Sequence, residues 1–221
     1  MAHNNSVLVI GAASLDLKGR LNGPLHLGAS NPGAVRRSFG GVARNVAETL
    51  PRLGMPVALM TAIGDDAIGQ TVLRQAQESG IDVSQCIAVN GARTGAYLAV
   101  LDSSGALHVA VDDMSVLEAL TPRYIHERRK LIAEAAMVVV DTNLNPAALE
   151  VLFSITSKNG VRVCADPTSP RLAERLRPFN GKGMDVPDIA EELLCLDSES
   201  RTRSEAIKEL CDLLELSGRL Q

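Results

Sequence analysis

The 221 residues are 46% hydrophobic and 22% charged with a net charge of −4, which excludes a disordered chain and suits one globular domain, or a domain with a small annex. No run approaches the ~20 apolar residues that span a bilayer, and Met1 to Ser6 lacks the basic-then-apolar pattern of a secretory leader. Five aromatics (Phe39, Tyr97, Tyr124, Phe153, Phe179) are too few for a base-stacking platform, so a cytoplasmic protein with no nucleic-acid and no membrane partner is expected.

In chain order, Val7 to Ile10 is a continuous apolar run ending at Gly11, the pattern of a strand buried on both faces. Between Ala12 and Phe39, glycines, prolines and alternating residues imply short strands with one exposed face. Gly40-Gly41 opens a helix with Val42, Val46, Leu50 and Leu53 at helical spacing, stopped by Gly54. Val57 to Ile63 reads as a second buried strand. Asp65 or Asp66 caps a helix that ends at Gly80. Thr94 to Leu101 and Leu107 to Val111 form a hairpin around Asp102-Ser103-Ser104-Gly105.

Thr121-Pro122 starts a helix holding Ile125, Leu131 and Ile132, and Ala136 to Val140 is a third buried strand with Asp141 at its end. A helix over Pro146 to Asn159, a strand over Val161 to Ala165 and a helix over Pro170 to Leu176 follow. The alternation specifies parallel βαβ units in an α/β fold. The two polar-faced insertions, residues 12–39 and 94–111, stand outside that sheet and can pair as a small sheet of their own.

Up to Phe179, 17 Lys and Arg face 16 Asp and Glu; from Asn180 onward, 5 face 10. The shift divides the chain into residues 1–179 and an acidic tail, 180–221. In the tail, Ile189, Leu193, Leu194, Ile207, Leu210, Leu213 and Leu214 recur at helical spacing. Residues 200–218 read as an amphipathic helix, and are also similar to the opening helix of phosphotransferase-system IIA domains. Cys86, Cys164, Cys195 and Cys211 form no C-x-x-C pair, and His3, His26, His108 and His126 neighbour none of them, so reduced thiols and no metal site are expected.

Ligands of an open parallel sheet bind beyond the carboxyl ends of its strands. Four such ends carry Asp or Asn: residues 11–16, 64–66, 141–145 and 166–169. Each alone also reads as a helix cap or turn. Gly11-Ala12-Ala13-Ser14-Leu15-Asp16 lacks the later glycines of a dinucleotide fingerprint, and no phosphate-binding G-x-x-x-x-G-K-[ST] loop occurs. In Gly40-Gly41-Val42-Ala43-Arg44-Asn45, the glycines admit close backbone approach and the N–H groups at the helix start can meet ligand oxygens. Asn45 offers a donor and an acceptor to a hydroxyl-rich ligand. A tight turn into a helix with a solvent-facing Asn45 accounts for the same residues.

The stretch Ser38-Phe39-Gly40-Gly41-Val42-Ala43-Arg44-Asn45-Val46-Ala47 resembles the amino-terminal signature of the PfkB (ribokinase-like) carbohydrate kinases. Thr61 to Gly69 resembles that family's second landmark, and Asp16 follows the first strand as the family requires. The match covers about residues 6–179. Thr94 to Asp102, Val111-Asp112-Asp113-Met114, Asp141-Thr142-Asn143-Leu144 and Asp166-Pro167-Thr168-Ser169 are similar to the pseudouridine-kinase branch.

The resemblance implies a three-layer parallel-sheet core with a small β-sheet lid. It implies that Asp16, Gly40, Gly41, Asn45 and Asn143 bind substrate, with Thr94, Asp113 and Asp166 as further candidates. It also implies ATP and Mg as cofactors, a sugar or nucleoside as substrate, and a homodimer formed through the lid. Asp65-Asp66 is structural in such proteins. The family's catalytic Gly-Ala-Gly-Asp motif, which supplies base and anion hole, is absent from these 221 residues. No catalytic residue is assigned, and the implied kinase is expected to be weakly active or inactive alone. A non-catalytic ligand-binding or dimerising remnant, or one piece of a split kinase, is the alternative.

Overall fold

The computed structural model describes residues 6–179 of the chain. Its strands and helices run β1 (Val7–Ile10), β2 (Ser14–Leu21), β3 (Gly33–Gly40), α1 (Val42–Thr49), β4 (Val57–Met60), β5 (Ala62–Gly64), α2 (Ala67–Glu78), β6 (Ile87–Val89), β7 (Gly95–Leu101) and β8 (Leu107–Asp113). Then come α3 (Pro122–Glu127), α4 (Arg129–Glu134), β9 (Met137–Asp141), α5 (Pro146–Asn159), β10 (Val163–Asp166) and α6 (Pro170–Ala173), with 3-10 turns at Pro51–Leu53, Ser115–Ala119 and Glu174–Phe179.

The apolar runs form one parallel sheet in the order β10-β9-β1-β4. Register sets Val9 between Leu59 and Val139, and Asp141 beside Asp166. One face of the sheet (Leu8, Ile10, Met60, Val138, Val140) packs on Ile125, Ile132, Leu149 and Leu152 of α3, α4 and α5. The other (Val7, Val9, Leu59, Val139) packs on Ala43 and Ala47 of α1 and Ala76 of α2. Helices on both faces give the three layers the resemblance implied. From β1 the chain builds first to one side, then returns past β1 to β9 on the other. The crevice at the carboxyl end of β1 is therefore the switch point, where ligands of such sheets bind.

The two insertions do pair as one sheet, β3-β2-β7-β8. Its centre is a parallel pairing of β2 with β7, Ser14 opposite Gly95 through Arg20 opposite Leu101. The β7–β8 turn is held by the Asp102 Oδ1, which accepts from the amides of Ser104, Gly105 and Ala106 at 2.8–2.9 Å.

Four elements differ from expectation. The helix opened by Gly40-Gly41 ends at Thr49, because Pro51 starts a separate 3-10 turn that holds Leu53 before Gly54. The run Val57 to Ile63 breaks at Thr61, because beyond it the chain leaves β1 and pairs with β6, a strand with no sequence signal of its own. The helix begun at Thr121-Pro122 breaks at Arg128, whose guanidinium stacks 3.2 Å from the Tyr124 ring centroid and whose Nε donates to Gln85 at 2.9 Å. The helix expected over Pro170 to Leu176 is one α-turn followed by a 3-10 turn. The acidic tail, residues 180–221, lies outside the described residues. No helix among the described residues is long and apolar enough to cross a membrane.

Candidate functional site

β1 ends at Gly11, which has φ +145°, and a Cβ there would stand 2.2 Å from the Asp141 Oδ2. Only glycine lets the two strand ends meet this closely. The Asp141 side chain is buried to 1% exposure. Its Oδ2 accepts from the amides of Ala12 (2.7 Å) and Ala43 (3.1 Å), its Oδ1 from the amide and the Nδ2 of Asn143 (both 2.9 Å). Burial pushes its pKa up to about 6, and the four N–H donors only partly oppose that rise.

Asp16 stands on β2 across from β3. A Cβ on Gly40 would lie 2.3 Å from the Asp16 Oδ1, so a side chain at 40 and this carboxylate exclude each other. The Ser14 hydroxyl donates to the same oxygen at 3.1 Å. Gly41 has φ +91°, and its missing Cβ would meet the Ala12 carbonyl at 2.3 Å. Two separate close approaches thus require the two glycines, one to a side chain and one to the backbone.

The helix start differs from expectation. The Ala43 amide is taken by Asp141 and the Arg44 amide by the Ala12 carbonyl at 3.1 Å, so these donors do not stand free for a ligand. Asn45 follows within the first turn of α1, half-buried, its amide donating to the Gly41 carbonyl. Beside it Arg44 is 5% exposed, donating to the Phe39 carbonyl (3.2 Å) and Asn45 Oδ1 (3.4 Å) and pairing with Glu48 (3.2 Å). Its buried Nε has no partner.

Asn143 is brought to the same crevice by Asp141. The segment after it is fixed from below: Arg175 Nη1 donates to the carbonyls of Thr142 (2.9 Å) and Leu144 (2.7 Å), and the Thr142 hydroxyl to that of Pro167 (2.6 Å). Asp16, Gly40, Gly41, Asn45 and Asn143 therefore gather around the backbone of residues 11–13.

The further candidates are engaged elsewhere. The Thr94 hydroxyl donates to Asp66 Oδ1 (2.7 Å) and accepts from the Gly64 amide (3.1 Å). Asp66 caps α2 through the Gly69 amide at 2.7 Å, and Asp65 holds the Gly91 amide, which bears out their structural role. Asp113 caps the next turn through Ser115, and its register with Ala96 and Leu15 sets it on the lid face opposite Asp16. Asp166 Oδ1 accepts from the Thr168 amide at 2.7 Å. Among the described residues no group of three or more His, Cys, Asp or Glu is placed to hold a metal ion.

Comparison with known proteins agrees with this fold. The model of the pfkB family carbohydrate kinases matches residues 4–182. The chain belongs to that family. It is similar to the pseudouridine kinase of Escherichia coli (strain K12), 36% identical over 169 residues covering 76% of this chain and 53% of the relative. The guanosine-inosine kinase of Exiguobacterium acetylicum is 30% identical, covering 70% and 51%. A solved carbohydrate kinase from Agrobacterium tumefaciens superposes with TM-score 0.67 at 30% identity, over 78% of this chain and 56% of that one. An Arabidopsis thaliana ribokinase complexed with ribose and ATP shares the fold at TM-score 0.65 and 18% identity, over 73% and 53%. The chain spans about half the length of the curated relatives it matches.

Two residues of this crevice carry no binding role in the sequence reading. Asp141 reads there as a local cap or turn former, and it does cap a helix start, but that of α1, 98 positions away. Its signal is an acidic residue ending a run of buried apolar ones. Arg44 carries no signal, since one charge among Ala43, Val46 and Ala47 reads as the exposed side of a helix.

Proposed function

We propose that this chain forms the substrate-binding part of a pfkB-type kinase acting on a ribosyl compound of the pseudouridine type, with ATP-dependent phosphorylation of a ribosyl hydroxyl as the reaction. The observation that carries this reading is the packing of the Asp16 carboxylate against the bare Cα of Gly40, next to Gly41 and Asn45 at the switch point of the sheet. An ionised carboxylate only accepts, so substrate hydroxyls donate to Asp16; Asn45 and Asn143 can donate and accept. Gly40 lets the Asp16 carboxylate lie against the start of α1, and the four-stranded sheet above acts as a lid that excludes water from phosphoryl transfer. The identity to a pseudouridine kinase supports the substrate class. Family membership, and a fold shared with a ribokinase complexed with ribose and ATP, support ATP as phosphoryl donor. The base motif of the family is missing from the sequence, so binding without efficient turnover is the expected behaviour of these 221 residues.

The lid also supports a homodimer. Leu98, Val109 and Val111 are 45%, 52% and 62% exposed and, with Leu17 and Val35, share the face opposite Asp16. A second copy covering that face removes the apolar patch from water.

Calorimetric titration with pseudouridine, uridine and ribose tests the reading. Pseudouridine is expected to bind, Asn45→Ala to abolish binding, and ATP to be consumed slowly or not at all. Absence of binding by the wild-type chain overturns the site, and robust ATP turnover overturns the expected inactivity. The missing base motif favours one second reading, a piece of a split kinase; turnover restored by a separate chain carrying that motif would identify it.

A further inference from the structure

The Asp141 carboxylate touches all three segments that make the site, yet no role in binding has been given to it. Its four partners are the Ala12 amide on the way from β1 to Asp16, the Ala43 amide behind Gly40-Gly41, and the amide and side-chain Nδ2 of Asn143. Every one of them is an N–H donor. An ionised carboxylate satisfies four donors; a protonated one turns its own O–H toward a donor and loses at least one of these bonds. Nor can the segments relax toward each other, since Gly11 already lies against Oδ2 and Gly41 against the Ala12 carbonyl.

We propose that Asp141 is a positioning residue of the sugar site: its ionised carboxylate holds the Ala12 segment, the start of α1 and Asn143 in the ligand-ready arrangement, so that affinity for a ribosyl ligand follows its ionisation. The inference rests on the reading that Asp16, Asn45 and Asn143 bind the sugar. The charged groups on the surrounding elements are Asp16 on β2, Arg44 and Glu48 on α1, Asp166 across from Asp141 on β10, and Arg175 beneath the 142–144 carbonyls. Arg44 is already paired with Glu48 and Arg175 with carbonyls, so the four N–H donors are left to hold the Asp141 charge. With burial raising the carboxyl to about 6, the two forms exchange within an accessible range.

If only the ionised form binds, the apparent affinity scales with its population, falling about tenfold per pH unit below the midpoint. Two measurements on the 221-residue chain test this. Calorimetry with pseudouridine from pH 5 to 8 is expected to give affinity that rises to a plateau above about pH 6. Asp141→Asn, which keeps the size but puts donors against donors, is expected to bind at least about tenfold more weakly at pH 7.5, with a flat profile. NMR of the Ala12 and Ala43 amides is expected to show both titrating with that midpoint in the wild type, and it needs no variant should Asp141→Asn fail to fold.

A flat wild-type profile, an Asp141→Asn variant with wild-type affinity, or amides that do not titrate would each overturn the proposal. Failure of the underlying reading looks different: binding would be absent at every pH, or insensitive to Asn45→Ala, while the amides still titrate. The proposal would then fall with that reading.

Discussion

Gly11 and Asp141 fit against each other without space for a methyl group: a Cβ on Gly11 would lie 2.2 Å from one carboxylate oxygen and 2.6 Å from the other. The backbone there also has φ +145°, which L side chains rarely adopt. Gly11→Ala therefore has to move the carboxylate or the strand end. The expected cost is about 3 kcal/mol from strain and lost hydrogen bonds. Thermal unfolding should show a drop of roughly 6–12 °C. An unchanged midpoint would mean that the crevice is looser than these contacts require.

The buried charge carries a pH signature of its own. The Asp141 carboxyl is raised from 3.8 to about 6, so the folded state keeps a proton that the unfolded state has released. Stability from this group is present at low pH and lost as pH rises through the window from about 4 to about 6, a loss of about 3 kcal/mol in all. Urea unfolding of wild type and Asp141→Asn at pH 4.5 and 7.5 isolates it. The wild type is expected to lose about 2 kcal/mol relative to the variant over that interval. Ligand affinity is expected to rise over the same interval, so fold and site respond to one ionisation in opposite directions. Parallel stability profiles for the two proteins would refute the assignment.

Asp66 makes the contrasting case. Burial acts to raise its pKa, but the amides of Thr94 and Gly69 and the Thr94 hydroxyl together hold it below the usual carboxylate range. Its contribution is present above the unfolded pKa, near 4, and is lost as pH falls through the lower folded value. Asp66→Ala removes the cap of α2 and the tie to β7, at a cost of about 1–2 kcal/mol. Because this carboxylate lies outside the site, the variant is expected to keep its affinity for pseudouridine at pH 7.5. A variant that stays folded yet fails to bind would give Asp66 a functional role.

Local signals made part of this architecture legible. α5 begins and ends where its sequence says, since Asn145 caps it, Pro146 opens it and Gly160 ends it in the left-handed conformation. The Gly40-Gly41 pair likewise announces a close approach. What the sequence could not say is what approaches. Gly40 makes way for Asp16, whereas Gly41 makes way for a carbonyl. The break at Thr61 depends on β6 offering itself as partner, and the break at Arg128 on Tyr124 and Gln85. Asp141 looked local for the same reason: the helix it caps belongs to a distant part of the chain. Long-range pairings decide these features, and no periodicity within a segment encodes them.

The lid gives the last prediction. On β8, Val109 and Val111 point the same way as Leu98 of β7, and all three remain substantially exposed while Ala99, facing the other way, is 2% exposed. An alternation that turns apolar residues toward water calls for a cover, and a second copy presents the same face in return. Val109→Lys with Val111→Lys puts charge at the centre of that face. In the monomer both side chains are already exposed, so stability should shift by no more than about 1 kcal/mol. Sedimentation is expected to give a dimer for the wild type and a monomer for the double variant. Leu27→Lys, at an even more exposed position but in the β2–β3 connection, is expected to leave the dimer intact. A wild-type monomer at micromolar concentration would remove the second copy as the cover.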